Sequence, residues 1–225
     1  INKTQKLLTI TDKDDPDYTE YASELKELKD KQSKMESNLW NTALMITRLS
    51  NTKCNERLNR AMELFTNGNN KGAQAILNEE EIEHDVEHNL HLIQLGKEGK
   101  KGLEINIDEY RLKANILSTE MPDNWLDELY KLHKRIIELS TSLYGNHSLE
   151  TAQAMMDAAE VLSLCEKFPE LYEFSHKALN IRLDLLGENH LDTAQCYNDL
   201  GVASGKLGKF QDFLKYASKS LDIRL

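Results

Sequence analysis

The chain has 225 residues, 40% of them hydrophobic, which is enough apolar material to bury a core in one large domain or two small ones. Its 38 acidic residues outnumber the 28 basic ones for a net charge of −10, and this excludes a broad phosphate-binding surface, because nucleic-acid footprints are basic patches. No apolar run approaches the ~18 residues a membrane span needs, and no leader pattern opens the residues given, so the chain reads as a cytoplasmic protein that engages neither nucleic acid nor membrane.

Cys54, Cys165 and Cys196 are widely spaced and form no CxxC pair, which fits reduced thiols and not a disulfide framework or a zinc knuckle. Three Pro and ten Gly among abundant Leu, Lys, Glu and Ala favour helix over strand. An all-α fold without a sheet is expected.

Residues 1–16 carry TDKDDPD and read as a flexible lead-in. An N-terminal helical region, residues 17–119, follows. Tyr18, Tyr21, Leu25, Leu28, Gln32, Met35, Leu39, Thr42, Ile46 and Leu49 advance in steps of three and four, a heptad stripe that seats one helix on another. At 56–78, ERLNRAMELFTNGNNKGAQAILN reads as a short hairpin broken at Gly68. A second long stripe runs through Ile82, Val86, Ile93, Leu103, Ile107, Tyr110, Ala114 and Leu117, loosened by Gly96, Gly99 and Gly102. The two long stripes are expected to pair antiparallel within the chain. Weak self-association through them is the alternative, opposed by the polar Gln32 and Thr42 in the seam.

Within the second stripe, EIEHDVEHNLH places His84, His88 and His91 at helical spacings of four and three. That spacing stacks imidazoles on one face, as metal sites do, and makes the three histidines a candidate metal site. A solvated face on an acidic helix is the plainer reading. HExxH, GxSxG, the P-loop and GxGxxG are all absent, so neither catalysis nor a cofactor is expected. The paired acids Asp14 and Asp15 and the run Glu79, Glu80 and Glu81 have no apolar pocket in the pattern to raise a carboxylate pKa.

Residues 120–225 form a periodic array. The stretches beginning GNHSLETAQ at Gly145 and GENHLDTAQ at Gly187 stand 42 residues apart. Without a gap, the same offset pairs Thr151 with Thr193, Gln153 with Gln195, Phe168 with Phe210, Lys177 with Lys219, Leu179 with Leu221, Ile181 with Ile223 and Arg182 with Arg224. A fixed period of this length marks stacked hairpins. Each unit reads helix, turn, helix, with Gly208 ending the first helix in the left-handed conformation and Pro169 near the start of a second helix. Repeats are placed at 143–184 and 185–225, preceded by a degenerate helix at 124–140 capped by Asp123 or Asn124. Gly201 and Ala159 are small where helices approach, and Cys165 replaces Leu207 at a core position.

At Leu186, Gly187, His190, Asp192, Thr193, Ala194, Tyr197, Asn198, Leu200, Gly201, Gly208, Phe210, Leu214, Tyr216, Lys219, Leu221 and Ile223 the chain resembles the tetratricopeptide repeat, in the 42-residue variety of kinesin light chains and large bacterial signalling proteins. The chain departs from that pattern at Leu191 and Leu149, which replace a proline, and at Ser148, which replaces the histidine. Large and small have also changed places at Phe213 and Ala217 and at Leu171 and Ser175. The resemblance implies a right-handed superhelical stack of helical hairpins, preceded here by the long antiparallel helices. It further implies a non-catalytic scaffold that binds a protein or peptide on its concave face, where Gln195, Asn198, Val202 and Gly205, with Gln153, Met156, Glu160 and Ser163 in the earlier unit, would line the groove. Asn198 would grip a peptide backbone; His147 and His190 would serve the inter-repeat turns. A regulatory or sensor module inside a larger bacterial signalling protein is the alternative. The final LDIRL stops where a helix should still be running, so the array is expected to be the N-terminal end of a longer scaffold.

Overall fold

A computed structural model describes residues 18, 21–26, 28–29 and 55–225. The chain divides into two units, 1–54 and 55–225. In the first, the described residues are helical; the lead-in, most of the first heptad stripe and Cys54 lie outside the described residues. The second unit is helical throughout, and no strand occurs among the described residues.

The second unit begins with two short helices, α1 (Glu56–Thr66) and α2 (Asn70–Ile76). Asn55 Oδ1 accepts the Leu58 amide at 2.7 Å and Asn69 Oδ1 accepts the Gly72 amide at 3.0 Å, so each N-cap satisfies one orphan donor. Leu58, Ala61 and Ala73 point inward. α3 (Glu79–Gln94) and α4 (Lys100–Glu120) follow. Three glutamates in the first turn of α3 complement the positive end of its dipole.

The second long stripe is therefore two helices, not one. Gly96 turns the chain with a φ of +69°, and α3 and α4 pack against each other. Gly99 and Gly102 do not loosen the stripe; they allow the crossing. A Cβ on Gly99 would lie 2.3 Å from the Asn89 carbonyl oxygen, and one on Gly102 would lie 2.1 Å from Asn89 Oδ1.

Three hairpin layers complete the unit: α4 with α5 (Trp125–Tyr144), α6 (Leu149–Leu164) with α7 (Phe168–Leu186), and α8 (Leu191–Lys206) with α9 (Phe210–Arg224). Each helix packs on the next, and α8 also touches α6, which is the connectivity of a tetratricopeptide-like stack. The N-cap of α5 is Asn124, in the left-handed conformation and without a side-chain capping bond.

The 42-residue period governs small details. Ser148 Oγ accepts the Thr151 amide, and at the equivalent cap His190 Nδ1 accepts the Asp192 amide, both at 3.1 Å. Thr151 and Thr193 donate to the carbonyls of Gly145 and Gly187 at 2.8 and 2.9 Å. Lys167 lies over the Tyr130 ring at 4.4 Å and Lys209 over Tyr172 at 4.9 Å, a cation–π pair repeated in register. Gly208 ends α8 at a φ of +75°, while its counterpart Glu166 takes +56° with a side chain.

The core of the array is a seam of small residues against large ones. Ala152, Met156, Ala178, Leu179, Ile181, Cys196, Tyr197 and Leu200 form one cluster, and Ala159, Leu162, Leu171 and Ala203 form another. Leu171 and Ser175 are both buried, so the exchanged large and small positions both face the interior. Gly201 needs no special closeness: a Cβ there would meet Ala217 N and Tyr216 Cβ at 3.7 Å, ordinary contact, as the buried Ala159 already makes. Cys196 is buried, whereas Cys165 is the half-buried C-cap of α6 and Leu207 is exposed, so that position is a helix end, not core.

Candidate peptide-binding face

The first helix of each hairpin exposes a polar stripe with a repeated architecture. On α6, Gln153 Nε2 donates to Asp157 Oδ1 at 2.6 Å, and its Oε1 accepts from Arg182 Nη2 at 2.7 Å. On α8, Gln195 Nε2 donates to Asp199 Oδ1 at 3.1 Å, and its Oε1 accepts from Arg224 Nη2 at 2.8 Å. Arginine, glutamine and aspartate thus form a relay that recurs 42 residues later. A guanidinium from the second helix fixes the amide, and the amide fixes the carboxylate one turn on.

Arg182 itself is 3% exposed. Its Nη1 donates to the Asp192 carbonyl at 2.8 Å and reaches Cys196 Sγ at 3.4 Å, so the buried charge is held by three acceptors. Burial pushes the Cys196 thiol up to about 11 despite this neighbour, and its sulfur lies 3.4 Å from Met156 Sδ. A thiol in that setting is packing material, not a nucleophile.

Glu160 projects from α6 beside these carboxylates. Surrounding protein displaces water from it, and Asp157 and Asp199 add like charge, so its carboxyl titrates above the ordinary range. Asp199 is also raised, by burial, against the opposing hydrogen bonds from Asn198 and Gln195. No ion pair joins Asp157, Glu160 or Asp199 to a basic side chain among the described residues. On the neighbouring α5, His133 is held below its usual pKa by burial, with Asp157 opposing and Arg111 reinforcing that shift.

Residues 156–225 match the family model of the tetratricopeptide repeat. The two terminal hairpins are tetratricopeptide repeats. No curated protein matches the chain at a significant level. Tetratricopeptide repeats are protein-interaction scaffolds of helical hairpins, and no helix among the described residues is long and apolar enough to cross a membrane.

Of the eight residues read as lining the tetratricopeptide groove, Gln153, Glu160, Asn198 and Val202 are exposed, and Ser163, Gln195 and Gly205 are half-buried. Met156 is not on this surface. It is 4% exposed in the core cluster with Cys196 and Tyr197, because α8 covers that side of α6. Its counterpart Asn198 is exposed and donates only to the adjacent Asp199. Gly205 lies against Phe213 of α9, where a Cβ would contact that ring at 3.4 Å.

His84, His88 and His91 are all exposed on α3. No group of three His, Cys, Asp or Glu side chains among the described residues is arranged to hold a metal ion. Positions 84 and 91 are separated by roughly 10 Å along a helix axis, too far for three imidazoles to converge on one ion. His84 faces Asp85 at 3.8 Å.

Sequence reasoning overlooked Asp157 and Asp199, and it used Arg182 and Arg224 only as markers of the period. The signal was present, since Gln, Asp and Arg recur at all three positions of the relay. Identity of polar residues across a repeat marks a shared hydrogen-bond pattern as readily as identity of apolar ones marks a shared core.

Proposed function

We propose that the face shared by α6 and α8 receives an extended protein segment carrying Lys or Arg side chains. The observation that supports this is Glu160: a carboxylate without a basic partner, flanked by Asp157 and Asp199, whose mutual repulsion a cationic side chain would relieve. The amides of Gln153, Gln195 and Asn198 flank the carboxylates, and an amide can both donate to and accept from an extended backbone. The scaffold supplies position and charge; no chemistry on the segment is required of it.

The test is a fluorescence-anisotropy titration with matched peptides that differ only in lysine or glutamate content. Lysine-containing peptides are expected to bind, and affinity is expected to fall with added salt. Glu160→Gln should weaken binding by about tenfold, the scale of a close charge pair. Because the Glu160 and Asp199 pKa values are raised, affinity should fall as pH drops through those raised values, at higher pH than ordinary carboxylates would give. Equal affinity for both peptide sets would sink the charge assignment, and unchanged binding by Asn198→Ala would remove that residue from the groove.

The gap-free 42-residue period from Gly145 to Gly187 supports placing the pair in the longer variety of the repeat. The same resemblance supports work inside a larger signalling protein, and the free thiols of Cys165 and Cys196 fit a reducing, cytoplasmic setting.

A further inference from the structure

The second helices of the three hairpins present one surface three times, with two copies covered and one bare. Leu129 and Leu171 are 4% and 1% exposed, but Phe213, at the next step of the register, is 38% exposed. Leu179 is 5% exposed and its counterpart Leu221 is 57% exposed. Phe168 and Tyr172 are half-buried, whereas Phe210 and Leu214 reach 69% and 64%. The difference has an identifiable cause. α6 packs on α5 and α8 packs on α7, while no described helix takes the equivalent place on α9.

The structure also shows what fits such a face. Against α7, α8 presents Ala203 to Leu171, and Cys196, Tyr197 and Leu200 to Ala178, Leu179 and Ile181. Small side chains meet the large residue at one end, and larger ones meet the small residue toward the other. On α9 the large residue is Phe213 and the small one is Ser220, in the positions of Leu171 and Ala178. The exposed side of α8 agrees: Asn198 and Val202 are bare, whereas Met156, the counterpart of Asn198, is buried against α8. A second copy of α9 is a poorer fit, since antiparallel pairing sets Phe210, Phe213, Leu214 and Leu221 against one another with only Ala217 to interdigitate.

We infer that the exposed face of α9, continued onto the Asn198 edge of α8, is a docking surface for an amphipathic helix of the α8 type. Such a helix carries an alanine opposite Phe213 and a bulky apolar pair opposite Ser220 and Leu221. The inference is independent of the acidic groove, because it rests on apolar burial across the 42-residue register and not on charge.

The test adds a labelled peptide with the sequence of residues 187–206 to the full chain and follows anisotropy and amide exchange in α9. A second arm appends the sequence of residues 184–206 after Leu225, approximating the register of the repeat, so that the helix no longer has to be ordered from free solution. Slowed exchange across α9 in the tethered chain is expected, with saturable binding of the free peptide that Leu221→Glu weakens at least tenfold. Leu185→Glu, at an exposed position of α7, should leave binding unchanged. The inference fails if neither arm slows exchange in α9, or if a scrambled peptide binds equally well. It also fails if sedimentation shows a dimer that Leu214→Glu dissolves, since the face would then belong to a second copy.

Discussion

The block from α1 to α4 and the array from α5 to α9 solve the same packing problem with different materials. In the first, buried polarity ties the helices together. Glu109, fully buried, accepts from Arg57 Nε at 2.7 Å and Nη2 at 3.0 Å, and from Asn55 and Asn106, both at 2.9 Å. Arg57 continues to Asp85 at 2.5 Å, and Asn106 accepts from Asn89 at 2.9 Å. This network joins α1, α3 and α4, helices too short or too glycine-rich to be held by apolar stripes alone. In the array, alanines and leucines do that work, and polarity is confined to the relay on the exposed edge. A repeat can reuse one apolar interface, whereas an irregular cap needs directional bonds to define a unique arrangement.

The largest expected effect breaks the network. Glu109→Ala leaves the Arg57 guanidinium, Asn55 and Asn106 without their shared acceptor, and removing one partner of a buried pair costs about 3–5 kcal/mol. Urea denaturation followed by circular dichroism measures it; a loss under 1 kcal/mol would mean that water replaces the carboxylate at little cost. In the array, Arg182→Met should cost about 2–3 kcal/mol, because charged hydrogen bonds of this kind are worth about that much. Arg224→Met, at the exposed copy of the relay, should cost under about 1 kcal/mol.

A pair of alanine substitutions sharpens the contrast by changing sign between the regions. Gly99→Ala drives a Cβ to 2.3 Å from the Asn89 backbone oxygen, and overpacking of this sort costs about 1–3 kcal/mol. Gly201→Ala meets only ordinary contacts at 3.7 Å, and should stabilise the array by roughly 0.5–1 kcal/mol through helix propensity. Thermal melts of the two variants are expected to move in opposite directions.

Titration gives the smallest effect, again of opposite sign in the two regions. Burial pulls Glu83 upward, but its hydrogen bonds from Arg135 at 2.8 and 2.5 Å and from Tyr110 outweigh it and hold the carboxyl below the ordinary range. Its contribution to stability is present above the unfolded pKa and is lost as pH falls through the lower folded value. Glu160 and Asp199 are raised instead, so the folded array takes up their protons first and gains stability as pH falls through those values. Glu160→Gln should therefore slightly stabilise the fold at neutral pH while weakening cationic ligands. Loss of both stability and binding would show that the carboxylate is structural.

Much of the array was legible before any coordinates, because a gap-free period writes the same contacts twice. Gly187 ends α7 with φ +84° and ψ 174°, a conformation open essentially to glycine alone, and Gly145 repeats it one period earlier. Such residues announce hairpin boundaries in the sequence, as Pro169 announces the start of α7. The candidate face was legible only in part. Helical spacing identifies which residues share a side of α6, but not that α8 would cover Met156 and leave Glu160 open.

The sequence by itself determined the helical class, the 42-residue register and the identity of the repeat, since all three are local or periodic properties of the chain. Only the tertiary structure decided that the second stripe folds back at Gly96, that Glu109 and Arg57 meet across α1 and α4, and that the three histidines of α3 stand apart. These depend on which helix lies beside which, and long-range pairing leaves no spacing in the sequence where nothing repeats.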